Sequence, residues 1–173
     1  MVMHHGRAPV EMLDQAASFI VKPARYVPRD LRPAQLSFKL YWRVYVFATK
    51  QAMRSYSQWR TAAERSGRFL GQVLPMPVLR FDKSGRATAC RPKLGEVLLC
   101  RQGLSSDVIS HESIHVATET LRAVANVMSL EPDALLRLGG EIDDVEERLC
   151  YIACRVCGQI VDELHERKLF TSV

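Results

Sequence analysis

Apolar residues in the second half of the chain recur every three or four positions, a spacing that predicts two long α-helices. The first predicted helix carries an apolar stripe formed by Ile114, Ala117, Leu121, Val124 and Met128. It begins near residues 105–107, where serine supplies an N-cap and Asp107 places a negative charge at the positive end of the helix dipole. The second predicted helix starts near residues 143–144, after the glycine pair 139–140, and runs to about residue 168.

The first half of the chain carries patterns expected of strands. Residues 95–101 form a short apolar run that is typical of a buried strand, and residues 102–104 form a turn that leads into the first long helix. Apolar and polar residues alternate over residues 36–46, which predicts a long strand. Residues 86–91 are predicted to pair with the strand at residues 95–101, after a turn at residues 81–86.

Two further helices are expected in this half, one over residues 9–21 and one from about residue 50 to residue 66. Between the first of them and the long strand, Pro23, Pro28 and Pro33 keep the chain extended, because proline lacks a backbone N–H and restricts the residue before it. Together these patterns predict an α+β fold with a short antiparallel or mixed sheet.

The composition fits one globular domain. Of 173 residues, 47% are hydrophobic and 25% are charged, which is enough to bury one core. We therefore predict a single domain over residues 1–173, with a partly irregular segment at residues 1–35. The chain has no apolar run long enough for a membrane helix and no signal-peptide order at its N-terminus, so we expect a cytoplasmic protein. Five cysteines, an odd number, favour reduced thiols over a disulfide framework.

Charge is unevenly distributed along the chain. Residues 1–104 contain 18 Lys and Arg against 6 Asp and Glu, a net charge of +12, whereas residues 105–173 contain 6 against 13, a net charge of −7; the sum is the overall +5. A basic half is typical of contact with nucleic acid or with an acidic partner. The arginines are scattered, however, so we interpret them as a solvated face and do not favour direct binding of nucleic acid.

The strongest chemical signal is the pentad HExxH at residues 111–115, inside the first long helix. Residues four apart share a helix face, so His111 and His115 can reach one metal ion while Glu112 points towards water bound to it. A histidine pair with an intervening glutamate is also found on ordinary solvated helix faces. The preceding strand, the serine cap and the second helix favour the metal site, and Zn²⁺ is the expected metal.

A catalytic zinc takes three protein ligands and keeps one position open, so a third ligand should come from another element. The second long helix offers Glu146 and Glu147 near its start. We prefer Glu147, because the small residues Cys150 and Cys154 follow it at three and seven positions and would let that face approach the first helix. Glu146 remains a near alternative, and Glu141, next to the glycine pair, is a weaker one.

Other ionisable groups fit less well. His165 shares a face with Glu147, but eighteen residues of helix place it roughly 27 Å further along the axis. Glu119 lies one turn beyond His115, where it could orient an imidazole but not join both histidines on one ion.

The three cysteines of the second helix have the spacing CxxxCxxC, at Cys150, Cys154 and Cys157, which is also that of an iron–sulfur motif. Such ligands normally lie on a loop, whereas these lie inside an amphipathic helix. We therefore expect all three on one buried face, where cysteine acts as a small apolar residue.

The strand, the HExxH helix and the later glutamate-bearing helix resemble the minimal gluzincin pattern of the ImmA/IrrE-like metallopeptidases and of small HExxH proteins from phages and mobile elements. The resemblance covers residues 95–164 and depends on His111, Glu112, His115 and the helix that carries Glu146 and Glu147. It implies a small zincin-like domain, with residues 95–168 as the core around the metal. One departure is Cys150, at the place where a small residue usually follows the third ligand.

These observations predict a zinc metallopeptidase that acts on a protein or peptide. Glu112 is expected to act as general base on a metal-activated water. Tyr151, next to the helix face of Glu147, is the candidate donor to the developing oxyanion. The strand at residues 95–101 is expected to bind an extended peptide by strand addition. The alternative class is a non-catalytic binding protein, associated with nucleic acid, in which the zinc site is structural or vestigial.

Overall fold

The computed structural model describes residues 15–23, 40–61, 70–77, 79–81, 87–90, 92–127 and 142–170. Their strands are β1 (Gln15–Val21), β2 (Tyr41–Phe47), β3 (Gly71–Pro75), β4 (Leu79–Phe81), β5 (Ala87–Cys90) and β6 (Lys93–Cys100). Their helices are α1 (Lys50–Thr61), α2 (Ser106–Val127) and α3 (Ile142–Glu166), and a short 3-10 turn at Arg101–Gly103 joins β6 to α2. The predicted α+β class is confirmed.

Four strands form a mixed sheet in the order β1-β2-β6-β3. Strands β2 and β6 are parallel, with Val44 opposite Val97, while β1 pairs with β2 and β3 pairs with β6 in antiparallel fashion. Strand β6 therefore has a neighbouring strand on each side. Among the described residues, β3 forms one edge of the sheet and β1 forms the other. Strands β4 and β5 form a separate antiparallel pair.

Helices cover both faces of this sheet. Side chains alternate between the two faces along each strand, so each strand contributes to both cores. In β2, Trp42, Val44 and Val46 face a core shared with α2 and α3. Phe47, at the end of the same strand, belongs to a second core that contains Met53 of α1. The sheet is thus the middle of three layers, with the HExxH helix on one side and α1 on the other.

A buried ionic cluster holds α1 to the sheet. The Glu96 carboxylate on β6 is 2% exposed. It accepts hydrogen bonds from the Tyr56 hydroxyl and from Nε of Arg60, each at 3.0 Å, and also pairs with Lys93. Burial and the neighbouring carboxylate raise the pKa of Tyr56, so this hydroxyl stays protonated and donates. The buried charge of Glu96 is therefore paired with polar and charged groups of α1 and β6.

Helices α2 and α3 pack against each other. Ser110, near the start of α2, lies 3.8 Å from the thiol of Cys157 in the second half of α3, measured from Oγ to Sγ. On the sheet side of α2, the Trp42 indole donates a hydrogen bond to the Thr120 hydroxyl at 3.0 Å. The two helices and the sheet therefore fix where the pentad lies, since its residues occupy the first turns of α2.

The strongest periodic signals are confirmed. Helices α2 and α3 and strand β6 occur where they were predicted, and β2 and α1 match the predictions over the residues described. Residues 36–39 and 62–66 of those predictions lie outside the described residues. No helix among the described ranges is apolar over enough of its length to cross a bilayer.

Three predictions about the first half are wrong. The helix over residues 9–21 is strand β1 over its described part, where Phe19 and Val21 point into the core and Ile20 points out. The strand at residues 86–91 pairs with β4 and not with β6. Strand β6 cannot add a peptide, because β2 and β3 occupy both of its edges. In each case the structure depends on which strands pair with each other, and a local sequence pattern does not encode that pairing.

Candidate metal centre

The pentad is positioned by the way that α2 begins. Strand β6 ends in the sheet interior, and the chain turns through Arg101–Gly103 before the helix starts. The Ser105 hydroxyl accepts a hydrogen bond from the Val108 backbone N–H at 3.3 Å, as predicted for an N-cap. The histidines consequently lie in the second and third turns of a helix whose start is held by the sheet.

His111 and His115 lie side by side on the exposed face of α2. Their Nε2 atoms are 3.1 Å apart, and their ring centroids are separated by 4.8 Å. Two nitrogens at about 2.05 Å from a tetrahedral zinc ion would be about 3.3 Å apart. The two Nε2 atoms therefore lie at about the spacing that a shared zinc ion requires, and they are also close enough to share a hydrogen bond.

Glu112 turns away from solvent, towards the edge of the sheet. Its side chain is buried, and burial raises the pKa of its carboxyl to about 7. It lies against Gly71, the first residue of β3: a Cβ atom on Gly71 would be only 2.7 Å from Oε1 of Glu112. A residue with any side chain at position 71 would collide with this carboxyl.

Gly71 was not recognised as a site residue in the sequence. A glycine at the start of a strand indicates either a bend or a close approach of another group. Its partner in such an approach comes from far along the chain, so a local pattern cannot identify it. Only the pairing of β3 with β6 brings Gly71 beside the pentad.

The structure does not group Glu147 with the two histidines. Its side chain is exposed. The side chains of Glu146 and Glu141 lie outside the described part of the structure. Among the residues described, no three His, Cys, Asp or Glu side chains form a metal-binding group.

The remaining candidates have other surroundings. Tyr151 is 49% exposed, and the Arg155 guanidinium lies 5.3 Å from the centre of its ring. Glu119 forms an ion pair with Arg122 one turn further along α2. His165 stacks edge-on against Phe170 near the end of α3, with 5.2 Å between ring centroids. The described contacts of Glu119 and His165 are thus with residues other than His111 and His115.

The prediction that all three cysteines of α3 lie on one buried face is wrong. Cys150 and Cys154 are exposed, and Cys157 is half-buried. They do share one stripe of the helix, but that stripe faces a groove between α2 and α3 instead of the core. Helical spacing predicted the common face and could not predict how closely the neighbouring helix covers it.

Comparison with known protein families, curated proteins and solved structures gives no significant match in any of the three. The chemistry of the site therefore follows from its own residues. These are two neighbouring imidazoles, the buried carboxyl of Glu112 in the same pentad, and an adjacent sheet edge.

Proposed function

We propose that the protein is a zinc-dependent metallopeptidase in which His111 and His115 hold the ion together with a carboxylate of α3. Glu147 is our preferred third ligand and Glu146 its alternative. The observation that carries the proposal is the Nε2–Nε2 separation of 3.1 Å, which suits a shared zinc ion, next to the buried Glu112. An ordinary solvated helix face would have no reason to bury the central glutamate of the pentad.

Each chain residue would have a distinct task in hydrolysis. Bound zinc would lower the pKa of a coordinated water and polarise the peptide carbonyl. Glu112 would accept the proton of the attacking water and pass it to the leaving amine. The pKa of its carboxyl, raised to about 7 by burial, suits a group that both accepts and returns a proton near neutral pH. Tyr151 remains the proposed donor to the oxyanion.

The substrate is proposed to bind as an extended strand along β3. Among the described residues, β3 pairs only with β6, so its outer edge offers free backbone donors and acceptors. Gly71 at the start of β3 touches Glu112, which brings this edge next to the proposed base. Pro75 ends the strand and lacks an N–H, so the pairing would extend over only a few residues.

The most direct test of catalysis compares the wild-type protein with Glu112→Gln. We expect hydrolysis of an unfolded protein substrate to fall by at least a factor of about 100, because the proton acceptor is lost. Zinc content should stay close to that of the wild type, since this substitution leaves both imidazoles in place. Hydrolysis is followed by mass spectrometry of the products and zinc by elemental analysis.

Glu163→Gln is the matched control. It makes the same chemical change near the C-terminal end of α3, where Glu163 forms an ion pair with Arg167. This variant should keep both zinc and activity. Equal hydrolysis by wild type and Glu112→Gln would contradict the proposed role of Glu112.

A further inference from the structure

We infer that the groove between α2 and α3 binds a large apolar side chain of the substrate, beside the histidine pair. This inference rests on the proposed peptidase function and adds to it a substrate class. It concerns a surface formed by α2 and α3, which is distinct from the β3 edge on the other side of the pentad.

The groove lies at the level of the proposed ion. Its walls are formed by Ser110 and Ile114 of α2 and by Leu149, Cys150, Ala153, Cys154 and Cys157 of α3. Ser110 and Ile114 immediately precede His111 and His115, and consecutive residues of a helix point about 100° apart. The groove therefore runs alongside the imidazoles, within reach of a residue next to the bond being cleaved.

The chemistry of the walls selects an apolar occupant. None of these lining side chains carries a charge, and Ile114 is 51% exposed although it lies within the pentad itself. The volume of about 410 Å³ is ample for the side chain of leucine, methionine or phenylalanine. An acidic side chain would lose its hydration there without gaining a partner among these residues.

The position of the groove also explains why it would act as a specificity pocket. A peptide held along β3 passes Glu112 and the histidines, and the side chains of an extended chain alternate between two sides. One set of side chains lies on the α1 face of the sheet, and the other set lies on the face that carries α2, α3 and the groove. A side chain on the groove side would cover Ile114 and Ala153, so apolar surface is removed from water only when the substrate is bound.

Thiol alkylation tests occupancy without requiring turnover. Cys150 and Cys154 are exposed and line the groove, whereas Cys100 is fully buried in β6 and serves as the internal control. Zinc-loaded Glu112→Gln protein is treated with iodoacetamide in the presence of peptides that share one backbone and carry leucine, phenylalanine or aspartate at one position. Rates at each cysteine are measured by mass spectrometry.

Saturating leucine or phenylalanine peptide should slow alkylation of Cys150 and Cys154 at least about fivefold, while the aspartate peptide leaves the rates unchanged. Cys100 should not react under any condition. Equal rates with all three peptides would overturn the inference.

A second pair of variants tests selectivity in the wild-type background. Ala153→Leu fills the groove and should shift cleavage from large to small apolar residues by at least about tenfold in kcat/KM. Ile114→Ala alters an exposed side chain, so the fold is retained, and should weaken the same preference. Gly158→Ala is the control, because a Cβ there meets no atom within 4 Å.

The outcomes separate the groove from the proposed function. Hydrolysis that shows no apolar preference, or a preference that neither variant changes, overturns the groove and leaves the peptidase proposal standing. Protein that binds zinc and shows thiol protection by apolar peptides, yet cleaves none of them, contradicts the peptidase and supports the groove. Protein that shows neither cleavage nor protection contradicts both.

Discussion

Glu112 combines two properties that normally exclude each other, a buried position and an ionisable side chain. The residue is 5% exposed, and burial disfavours the charged form of its carboxyl. The folded protein therefore binds a proton here at a pH where the unfolded chain has lost it. This residue should make the stability of the protein depend on pH.

The pKa shift fixes the direction of that dependence in metal-free protein. The pKa of Glu112 is raised from 4.5 to about 7 in the folded state. Its stabilising contribution is thus complete below about pH 4.5 and is lost as the pH rises through 7. Between pH 5 and pH 8 we expect the free energy of unfolding to fall by about 2 kcal/mol more in wild type than in Glu112→Gln. Urea denaturation in the presence of a chelator measures this difference, and parallel pH profiles would contradict the burial.

Gly71 should tolerate no side chain. Substitution Gly71→Ala would place Cβ within 3 Å of three atoms of Glu112. We expect a loss of about 1 to 3 kcal/mol in unfolding free energy, together with a marked loss of hydrolysis, because Glu112 is displaced. The control Gly158→Ala lies in α3 with open space around it and should be neutral or stabilising by up to about 1 kcal/mol. A Gly71→Ala protein as stable and active as wild type would show that the contact is unimportant.

At the scale of elements, the proposed third ligand of the metal site lies near the start of α3, and it is the part of the site that the structure defines least. Glu147 is exposed and is not grouped with the two histidines. Zinc binding would have to draw a carboxylate of this helix towards the imidazoles. Coupling of this kind between metal binding and local structure is common, since ligands are rarely preformed in full.

Thermal unfolding can identify which glutamate completes the site. If Glu147 is the ligand, zinc should raise the Tm of wild type and of Glu146→Ala by several degrees, but should raise the Tm of Glu147→Ala much less. The reverse pattern would assign the role to Glu146. Equal zinc-induced shifts in all three proteins would exclude both as ligands.

The sequence predicted some elements much better than others, for physical reasons. Helices α2 and α3 were predictable because an apolar stripe repeated over several turns is a strong local signal. Strand β1 was mistaken for a helix because its short alternation of Phe19 and Val21 with Ile20 has meaning only beside β2. Pairing of β3 with β6 could not be read locally either, although it creates the contact between Gly71 and Glu112.

Within the site, the sequence predicted that the two histidines share one helix face, but it did not predict the surroundings of the pentad. The Nε2 atoms of His111 and His115 lie close together because residues four apart share a helix face. The depth at which Glu112 is buried depends on the sheet edge, and the exposure of Cys150 and Cys154 depends on how α3 packs against α2. These are properties of packing between distant segments.

At the scale of the whole molecule, the sheet separates two kinds of chemistry. One face carries α1 and the closed ionic cluster around Glu96, in which the charged groups are paired within the fold. The other face carries α2 and α3 with the histidine pair and the apolar groove. Such a division supports a structural role for the first face and a binding role for the second.

The uneven charge along the chain is the observation behind the alternative class of function. A net charge of +12 over residues 1–104 suits a nucleic-acid-binding protein with a structural or vestigial zinc site. Retention on DNA that weakens with salt and is unchanged in Glu112→Gln, in a protein without hydrolysis, would favour that class over a peptidase.

Zinc stoichiometry tests the central claim most directly. Purified protein is incubated with Zn²⁺, dialysed and measured by elemental analysis, alongside His115→Ala. We predict close to one zinc ion per chain in wild type and well below half of that in the variant, since one of the two converging imidazoles is removed. A wild-type protein that retains no zinc, or a variant that retains as much as wild type, would contradict the assignment of His111 and His115 as ligands.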